Sequence, residues 1–121
     1  MSLVLIIDDE YGLTEMAGEL LVIAGYQVAT AINGKLGLGM LATMRPDMIL
    51  LDVMMPIMSG VELMRILRDD DEYREIPVVM MSAAGTDGVP PDVLAHASGF
   101  LKKPFTFDEL MQMMTTILPV H

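Results

Sequence analysis

The sequence contains no cysteine and no tryptophan, and aromatic residues make up only 5% of it. Without cysteine there is no disulfide framework, so the fold depends on its noncovalent core. A chain of 121 residues is long enough to bury roughly two thirds of its unfolded surface in one core. We therefore expect residues 1–121 to form a single domain.

Basic residues are also scarce. The chain has 7 lysines and arginines against 17 aspartates and glutamates, which gives a formal net charge of -10. This charge argues against direct binding to nucleic acid, because the phosphate backbone would be repelled. A partner with a basic patch, or a bound divalent cation, fits an acidic chain better.

Long apolar runs are absent, although 53% of the residues are hydrophobic. The longest runs, Leu3–Ile7 and Met48–Leu51, end at aspartates and fall far short of the roughly 20 residues that a membrane helix needs. They are typical of strands that are buried on both faces of a parallel sheet. No basic leader precedes the first run, so we expect a cytoplasmic protein without a membrane span.

Strand-like stretches alternate along the chain with segments of helical periodicity. The predicted strands are Leu3–Ile7, Tyr26–Thr30, Met48–Asp52, Ile76–Met81 and Gly99–Lys102. The predicted helices are Leu13–Ala24, Gly34–Met44, Gly60–Arg68, Asp92–Ala97 and a last helix that a capping box of Thr106 and Glu109 begins. Each connection is long enough to join parallel strands, so the pattern predicts a three-layer α/β sandwich.

One segment departs from this alternation. Two glycines and two prolines lie between Ala83 and Pro91. Proline disfavours helix in the residue before it, and each glycine adds a conformational entropy cost. We therefore expect a loop over Ala84–Val89.

Polar side chains are found where the predicted strands end, namely at Asp8, Asp9, Asp52, Ser82 and Lys103. In an open parallel sheet, ligands bind beyond the carboxyl ends of the strands, so all of them are candidates for one cleft. Taken singly, each except Asp52 has a simpler interpretation as a helix cap or a surface lysine. Together, three carboxylates in one crevice would repel each other, and a hard cation such as Mg²⁺ would relieve that repulsion.

This combination of residue types suits phosphoryl transfer. A metal ion and a lysine neutralise the charge on the phosphoryl oxygens, while a hydroxyl donates a hydrogen bond to them. A carboxylate can act as the nucleophile and form an aspartyl phosphate. Asp52 is the candidate for that role.

Four segments, in order and at matching spacing, resemble the receiver domains of response regulators over essentially the whole chain. They are Ile6–Glu10, Leu51–Gly60, Met81–Ala83 and Gly99–Phe105. The resemblance implies a flavodoxin-like (βα)5 fold with a parallel five-stranded sheet in the order 2-1-3-4-5. It also implies a phosphorelay module that receives its phosphoryl group from a sensor histidine kinase or a histidine phosphotransfer protein.

The resemblance assigns roles to individual residues. Asp52 is the phosphoacceptor and a ligand of Mg²⁺. Asp9 is a direct ligand of the same ion, and Asp8 acts through water and the lysine. The remaining protein ligand is the backbone carbonyl of Met54, so its side chain need not be polar.

Two lysines are adjacent, and the resemblance selects Lys103 because it immediately precedes Pro104. Alternation along a strand also points Lys102 in the opposite direction. The bond between Lys103 and Pro104 is cis in the family, so we expect it to be cis here, although only about 5–6% of such bonds are cis.

The resemblance further implies a switch, in which Ser82 moves toward the phosphoryl group and Phe100 turns inward behind it. Phosphorylation adds roughly one to two negative charges, which is enough to bias a two-state loop. The family signals and dimerises through the fourth helix, fifth strand and fifth helix. A phosphorylation-dependent dimer is therefore implied, but the predicted loop over Ala84–Val89 departs from the family on this side.

Two apolar residues, Met54 and Ala84, occupy positions that border the phosphoryl group and its attacking water in the family. Apolar side chains give little help in positioning water. The sequence therefore predicts an acyl phosphate that is slow to hydrolyse.

Other functions fit parts of the pattern less well. A haloacid dehalogenase-like phosphatase places its nucleophile after the first strand and needs a cap domain, for which 121 residues leave no room. A flavodoxin-like flavin binder would not place three acids where its phosphate binds. A receiver that only binds partners would not need every phosphorylation residue.

We expect no enzyme beyond a module that catalyses its own phosphotransfer and dephosphorylation. The chain fits a stand-alone receiver or one excised from a larger regulator or a hybrid histidine kinase. Its two histidines, His96 and His121, show no metal-ligand spacing.

Overall fold

The computed structural model describes residues 2–119 and contains one sheet of five parallel strands in the order β2-β1-β3-β4-β5. The strands are β1 (Leu3–Ile7), β2 (Gln27–Ala31), β3 (Met48–Asp52), β4 (Val78–Ser82) and β5 (Gly99–Lys102). This order confirms the predicted flavodoxin-like topology, with β2 and β5 at the two edges of the sheet.

Five helices connect or follow the strands. They are α1 (Tyr11–Ile23), α2 (Gly34–Met40), α3 (Gly60–Asp69), α4 (Pro91–His96) and α5 (Phe107–Ile117). The predicted capping box is confirmed, since Thr106 and Glu109 exchange hydrogen bonds at the start of α5. Within residues 2–119, every helix is too short or too polar to cross a bilayer.

The core lies in two layers, one on each face of the sheet. Successive residues of β1 alternate between them, so that Ile7 packs toward α2, α3 and α4 while Ile6 packs toward α1 and α5. All residues of β3 and of β4 are buried. Burial on both faces explains why these strands are almost continuously apolar in the sequence.

The second helix is shorter than predicted, because α2 ends at Met40 rather than Met44. The N–H groups of Ala42 and Thr43 bond to carbonyls three residues back, at 3.2 and 3.1 Å. Such bonds tighten the end of a helix into a turn. Pro46 reinforces the stop, because the residue before a proline is disfavoured in helical geometry. The other predicted boundaries agree with those observed to within two residues, and those of β1, β3 and β5 agree at both ends.

The predicted loop after β4 is confirmed. Residues 83–88 form successive turns, and α4 covers only Pro91–His96. Gly85 and Gly88 have φ angles of 64° and 80°, in the left-handed region that glycine adopts without steric cost. The fourth helix is therefore reduced to less than two turns.

The carboxyl end of α4 is held by an arginine of α3. The guanidinium of Arg68 donates hydrogen bonds to the backbone carbonyls of Ile76 at 3.3 Å and His96 at 3.4 Å. Near the other end of α4, Arg65 forms an ion pair with Asp92 at 3.3 Å, which is exposed and therefore screened by water. Arg68 is thus the firmer of the two connections between α3 and α4.

Two glycines of α2 have different surroundings. A Cβ atom on Gly37 would lie 2.5 Å from Cδ1 of the buried Ile7, so this glycine allows the helix to approach β1 closely. A Cβ atom on Gly39 would meet nothing within 4 Å. Each glycine weakens a helix by about 1 kcal/mol relative to alanine, but packing explains only the first.

We expect Gly39→Ala to raise the free energy of unfolding by roughly 0.5–1 kcal/mol, because it removes backbone entropy from the unfolded chain. The matched variant Gly37→Ala should lower that free energy, because the new methyl group displaces α2 from Ile7. Urea denaturation of both variants measures the two effects. A stabilised Gly37→Ala protein would contradict the packing argument.

Candidate functional site

Three aspartates meet at the carboxyl ends of adjacent strands. Ile7 lies beside Leu51 in the register of β1 and β3, so the residues that follow them, Asp8 and Asp52, are neighbours. One carboxylate oxygen from each of Asp8, Asp9 and Asp52 lies within 4.8 Å of the others. Asp8 and Asp52 are only 1% and 4% exposed, whereas Asp9 faces solvent. The predicted acidic cluster therefore exists.

Lys103 enters the same cluster from the end of β5. Its Nζ atom lies 2.6 Å from Oδ2 of Asp8 and 3.5 Å from Oδ1 of Asp52. The side chain is 8% exposed, while Lys102 faces solvent, as strand alternation predicts. The bond between Lys103 and Pro104 is cis, which confirms that expectation.

Glu10 is a member of the site to which the sequence assigned no role. Its Oε1 atom lies 3.1 Å from Nζ of Lys103, although its side chain is 61% exposed. The ammonium group thus faces carboxylates on several sides. The sequence signal for this contact was its position, because Glu10 is a third acid directly after Asp8 and Asp9.

The electrostatics of the cluster leave a deficit of positive charge. Burial raises the pKa of Asp52 from 3.8 to about 7, and the carboxylate of Asp8 adds to the rise, while Lys103 and the N–H of Met54 oppose it. Burial lowers the pKa of Lys103, but hydrogen bonds to Asp8 and Glu10, together with the negative charges of Asp8 and Asp52, outweigh burial and leave that pKa above its ordinary value. Near neutral pH the cluster therefore favours uptake of a proton or a cation at Asp52.

The donor set fits a hard divalent cation. All the side-chain ligands are carboxylate oxygens, which Mg²⁺ prefers, and two of them are buried. A bound cation would also relieve the repulsion between Asp8 and Asp52. The residues that the structure brings together are thus suited to a metal ion.

The loop after β3 is packed tightly beneath Asp52. A Cβ atom on Gly60 would lie 2.2 Å from the carbonyl oxygen of Asp52, so only glycine fits there. The N–H of Gly60 donates to the carbonyl of Val53 at 2.9 Å, and Ser59 caps α3. The start of α3 is therefore fixed against the backbone of the candidate nucleophile.

The outer side of this loop is apolar and exposed. Met54 is 68% exposed. Ile57 is 75% exposed and has a φ angle of 72°. A β-branched residue is rarely found in this left-handed region, so the loop is strained beside the cleft.

Ser82 ends β4 and is 1% exposed. Its hydroxyl accepts a hydrogen bond from the N–H of Ala84 at 3.1 Å, and its carbonyl accepts one from the N–H of Lys103 at 3.0 Å. The interpretation of this hydroxyl as a helix cap is wrong, because residues 83–88 form turns and the hydroxyl closes the first of them. Ser82 thus connects the turns over residues 83–88 to the backbone of Lys103.

Phe100 and His96, which the sequence analysis considered, lie outside the acidic cluster. Phe100 is partly buried and packs with the core layer of α2, α3 and α4. His96 is exposed at the end of α4, where its carbonyl accepts from Arg68. His121 lies outside the described residues.

Comparison with known proteins gives a consistent match. A family profile described as the response regulator receiver domain matches residues 4–115. The phosphate regulon transcriptional regulatory protein PhoB of Pseudomonas aeruginosa is 35% identical over 116 residues, which are 95% of this chain and 51% of that protein. Sporulation initiation phosphotransferase F of Bacillus subtilis is 34% identical over 118 residues, which are 97% of this chain and 94% of that protein. The chain thus spans about half of the first relative and nearly all of the second.

Solved structures share the fold over nearly the whole chain. The response regulator TrrA of Thermotoga maritima, in complex with Mg²⁺ and BeF, has a TM-score of 0.87 and 28% identity, and the match covers 98% of this chain and 100% of that one. TrrA in complex with the histidine kinase ThkA has a TM-score of 0.85 and 28% identity, with 98% and 99% coverage.

We expect Asp52→Asn to raise the melting temperature in EDTA, and by more at pH 8 than at pH 4. Because the pKa of Asp52 rises from 3.8 to about 7 on folding, the native state binds a proton more tightly than the unfolded state in this interval. The native protein therefore loses stability as the pH rises toward 7, and asparagine removes that loss.

Differential scanning fluorimetry from pH 4 to pH 8 measures this difference. Asp87→Asn removes one negative charge from an exposed loop residue and controls for net charge. A stabilisation of Asp52→Asn that is the same at every pH would contradict the assignment of the titrating group.

Proposed function

The chain belongs to the response regulator receiver family, and on that premise we propose that Asp52 accepts a phosphoryl group from the phosphohistidine of a donor protein. A carboxylate oxygen of Asp52 attacks phosphorus, a P–O bond forms, and the P–N bond to the donor imidazole breaks. The product is an aspartyl phosphate. The chain acts as a signalling module that promotes only its own phosphorylation and dephosphorylation, in the cytoplasm.

One observation carries this proposal. The ammonium of Lys103 lies 3.5 Å from Asp52 and 2.6 Å from Asp8, inside a buried cluster of carboxylates. An ammonium in this position is available to the oxygens of a phosphoryl group on Asp52, where charge develops during transfer. Asp8 and Glu10 hold the ammonium in place by hydrogen bonds.

We propose Mg²⁺ as the cofactor, held by Asp8, Asp9, Asp52 and the backbone carbonyl of Met54. When bound, the ion supplies positive charge that offsets the phosphoryl oxygens. The similar regulator TrrA was solved in complex with Mg²⁺ and BeF, which supports the choice of ion. Asp8 and Asp9 would position the ion and offset its charge, and Asp52 alone is the nucleophile.

The donor is proposed to be a sensor histidine kinase or a histidine phosphotransfer protein. A groove of about 320 Å³, here called the donor-side groove, borders Lys103 and is lined mainly by Leu13, Met16, Pro104 and Phe105. Its apolar walls suit contact with a donor protein that delivers a phosphohistidine to the cleft. The complex of TrrA with the histidine kinase ThkA supports this class of partner.

Phosphorylation is proposed to act through Ser82 and Phe100. The Ser82 hydroxyl would exchange its bond with the N–H of Ala84 for a bond to the phosphoryl group, and this exchange would release the turn that begins at Ala83. Phe100 would follow by repacking in its core layer. The altered surface would then bind an effector, a linked output domain or a second copy of the chain.

The chain is proposed to be one receiver domain over residues 1–121, either alone or as part of a longer regulator or hybrid histidine kinase. PhoB is about twice as long as the matched region, which fits the second arrangement, whereas the sporulation phosphotransferase fits the first. The phosphatase alternative is not favoured, because Asp52 lies at the end of β3 rather than after β1.

We expect incubation with Mg²⁺ and acetyl phosphate to add one phosphoryl group, measured by intact mass spectrometry. Asp52→Asn should abolish the adduct, and Lys103→Ala should slow its formation by on the order of a hundredfold, because a charge-stabilising donor is lost. Lys102→Ala is the matched control and should react like the parent protein. An adduct that survives Asp52→Asn would place the site elsewhere.

We also expect the aspartyl phosphate to hydrolyse slowly, because Met54 and Ala84 provide no polar group to position water. Met54→Asn should speed hydrolysis by about tenfold or more through such a group. The phosphorylated protein, freed of donor by desalting, can be followed by intact mass over time. Rapid loss from the parent protein would contradict this expectation.

A further inference from the structure

The first helix is apolar on three sides. Leu21 packs against the sheet, and Leu13 with Met16 borders the donor-side groove. On the third side, Tyr11 is 71% exposed and Val22 is 56% exposed. Apart from Glu15 and Glu19, the exposed residues of α1 are apolar or glycine, and an exposed apolar surface on a helix is unfavourable in water. The third side of α1 therefore exposes apolar side chains that no other part of the described structure buries.

This side of α1 forms one wall of a groove along the edge of the sheet. The groove has a volume of about 550 Å³ and lies between α1 and the end of the edge strand β2, where Ile32 is 55% exposed. Ile23, at the last turn of α1, also lines it and is 82% exposed. We call it the α1–β2 groove. Because α1 rises about 1.5 Å per residue, the groove follows roughly 20 Å of helix.

The α1–β2 groove is separate from the phosphorylation site. None of Asp8, Asp52 and Lys103 lines it. The donor-side groove is on the other side of α1, since Leu13 and Met16 do not share the helical spacing of Tyr11, Glu15 and Val22. An occupant of the α1–β2 groove would therefore leave the donor's approach to Asp52 free.

The charge of the groove indicates the chemistry of its occupant. Its charged lining residues are Glu15 and Glu19, which lie one helical turn apart along the rim. Among the described residues that line the groove, neither lysine nor arginine is present. The whole chain carries a net charge of -10, which adds to the negative field. A partner that fits has apolar residues for the floor and cationic residues for the rim.

We propose that the α1–β2 groove binds an amphipathic helix of a partner protein, with one apolar side flanked by lysine or arginine. A long shallow groove with apolar anchors matches the way in which helices are held by protein surfaces. A second copy fits poorly, because a two-fold contact would bring Glu15 and Glu19 of both copies together. Anionic lipid would be repelled by the same two residues.

The test uses two synthetic helical peptides, one of leucine and lysine and one of leucine and glutamate with the same apolar positions. Each is titrated into the ¹⁵N-labelled protein and followed by NMR. The lysine peptide should shift the amide signals of Tyr11, Val22, Ile23 and Ile32, and the glutamate peptide should not. Shifts that map to Leu13 and Met16 instead would overturn the proposal.

Variants separate the groove from general attraction to an acidic protein. Val22→Ser with Ile23→Ser should weaken binding of the lysine peptide by about tenfold or more, because two apolar contacts are lost. Ile66→Ser, which alters an exposed isoleucine of α3, is the matched control and should change little. Equal effects of the two changes would overturn the proposal.

Charge reversal gives a second comparison. Glu15→Lys with Glu19→Lys should abolish binding of the lysine peptide, whereas Glu72→Lys with Glu75→Lys, in an exposed acidic segment, should leave it nearly unchanged. Acetyl phosphate should phosphorylate the three double variants and Ile66→Ser at the parental rate, which would verify that each variant is folded. Analytical ultracentrifugation that shows groove-dependent self-association, or groove-dependent binding to phosphatidylglycerol vesicles, would replace the partner helix with another occupant and overturn the proposal.

Discussion

The bond between Lys103 and Asp8 is the interaction on which the site depends. Lys103 directly follows the edge strand β5, and its side chain contacts Asp8, which follows β1 on the other side of β4 and β3. Both side chains are buried, so neither charge is tolerated without the other. The N–H of Lys103 is fixed in turn to the carbonyl of Ser82. The pair thereby joins the ends of strands that are far apart in the sheet.

Function and stability oppose each other at this point. Burial, with the neighbouring carboxylate of Asp8, raises the pKa of Asp52 to about 7 despite Lys103, which means that the ionised nucleophile is costly to the fold. The same excess of negative charge is what makes the cluster attractive to a divalent cation. Tight backbone packing at Gly60 holds Asp52 in place despite this repulsion. The apolar central strands provide the stability that the cluster removes.

Much of this arrangement was predictable because two strong patterns coincide. Buried strands that end in polar residues indicate both a parallel sheet and the edge at which its ligands bind. The resemblance selects Lys103 because it precedes Pro104, and alternation along β5 points Lys102 in the opposite direction. The position of Glu10 after Asp8 and Asp9 indicated an acid near the site, but its contact with Lys103 depends on the conformation of a long flexible side chain. The end of α2 depends on local turns, and the need for Gly37 depends on the distance to Ile7. Periodicity along one helix also cannot distinguish a side that is packed from one that stays uncovered.

The tether of α4 has a mechanical consequence. Arg68 holds the carbonyl of His96 at the far end of the segment that begins after Ser82. The near end carries Gly85 and Gly88, whose backbone rotates with little resistance. The segment is thus held by an arginine at its far end and has two glycines in left-handed geometry nearer to Ser82. Under the proposed switch, a change at the Ser82 hydroxyl would therefore rotate the backbone at these glycines, while the end of α4 keeps its contact with α3.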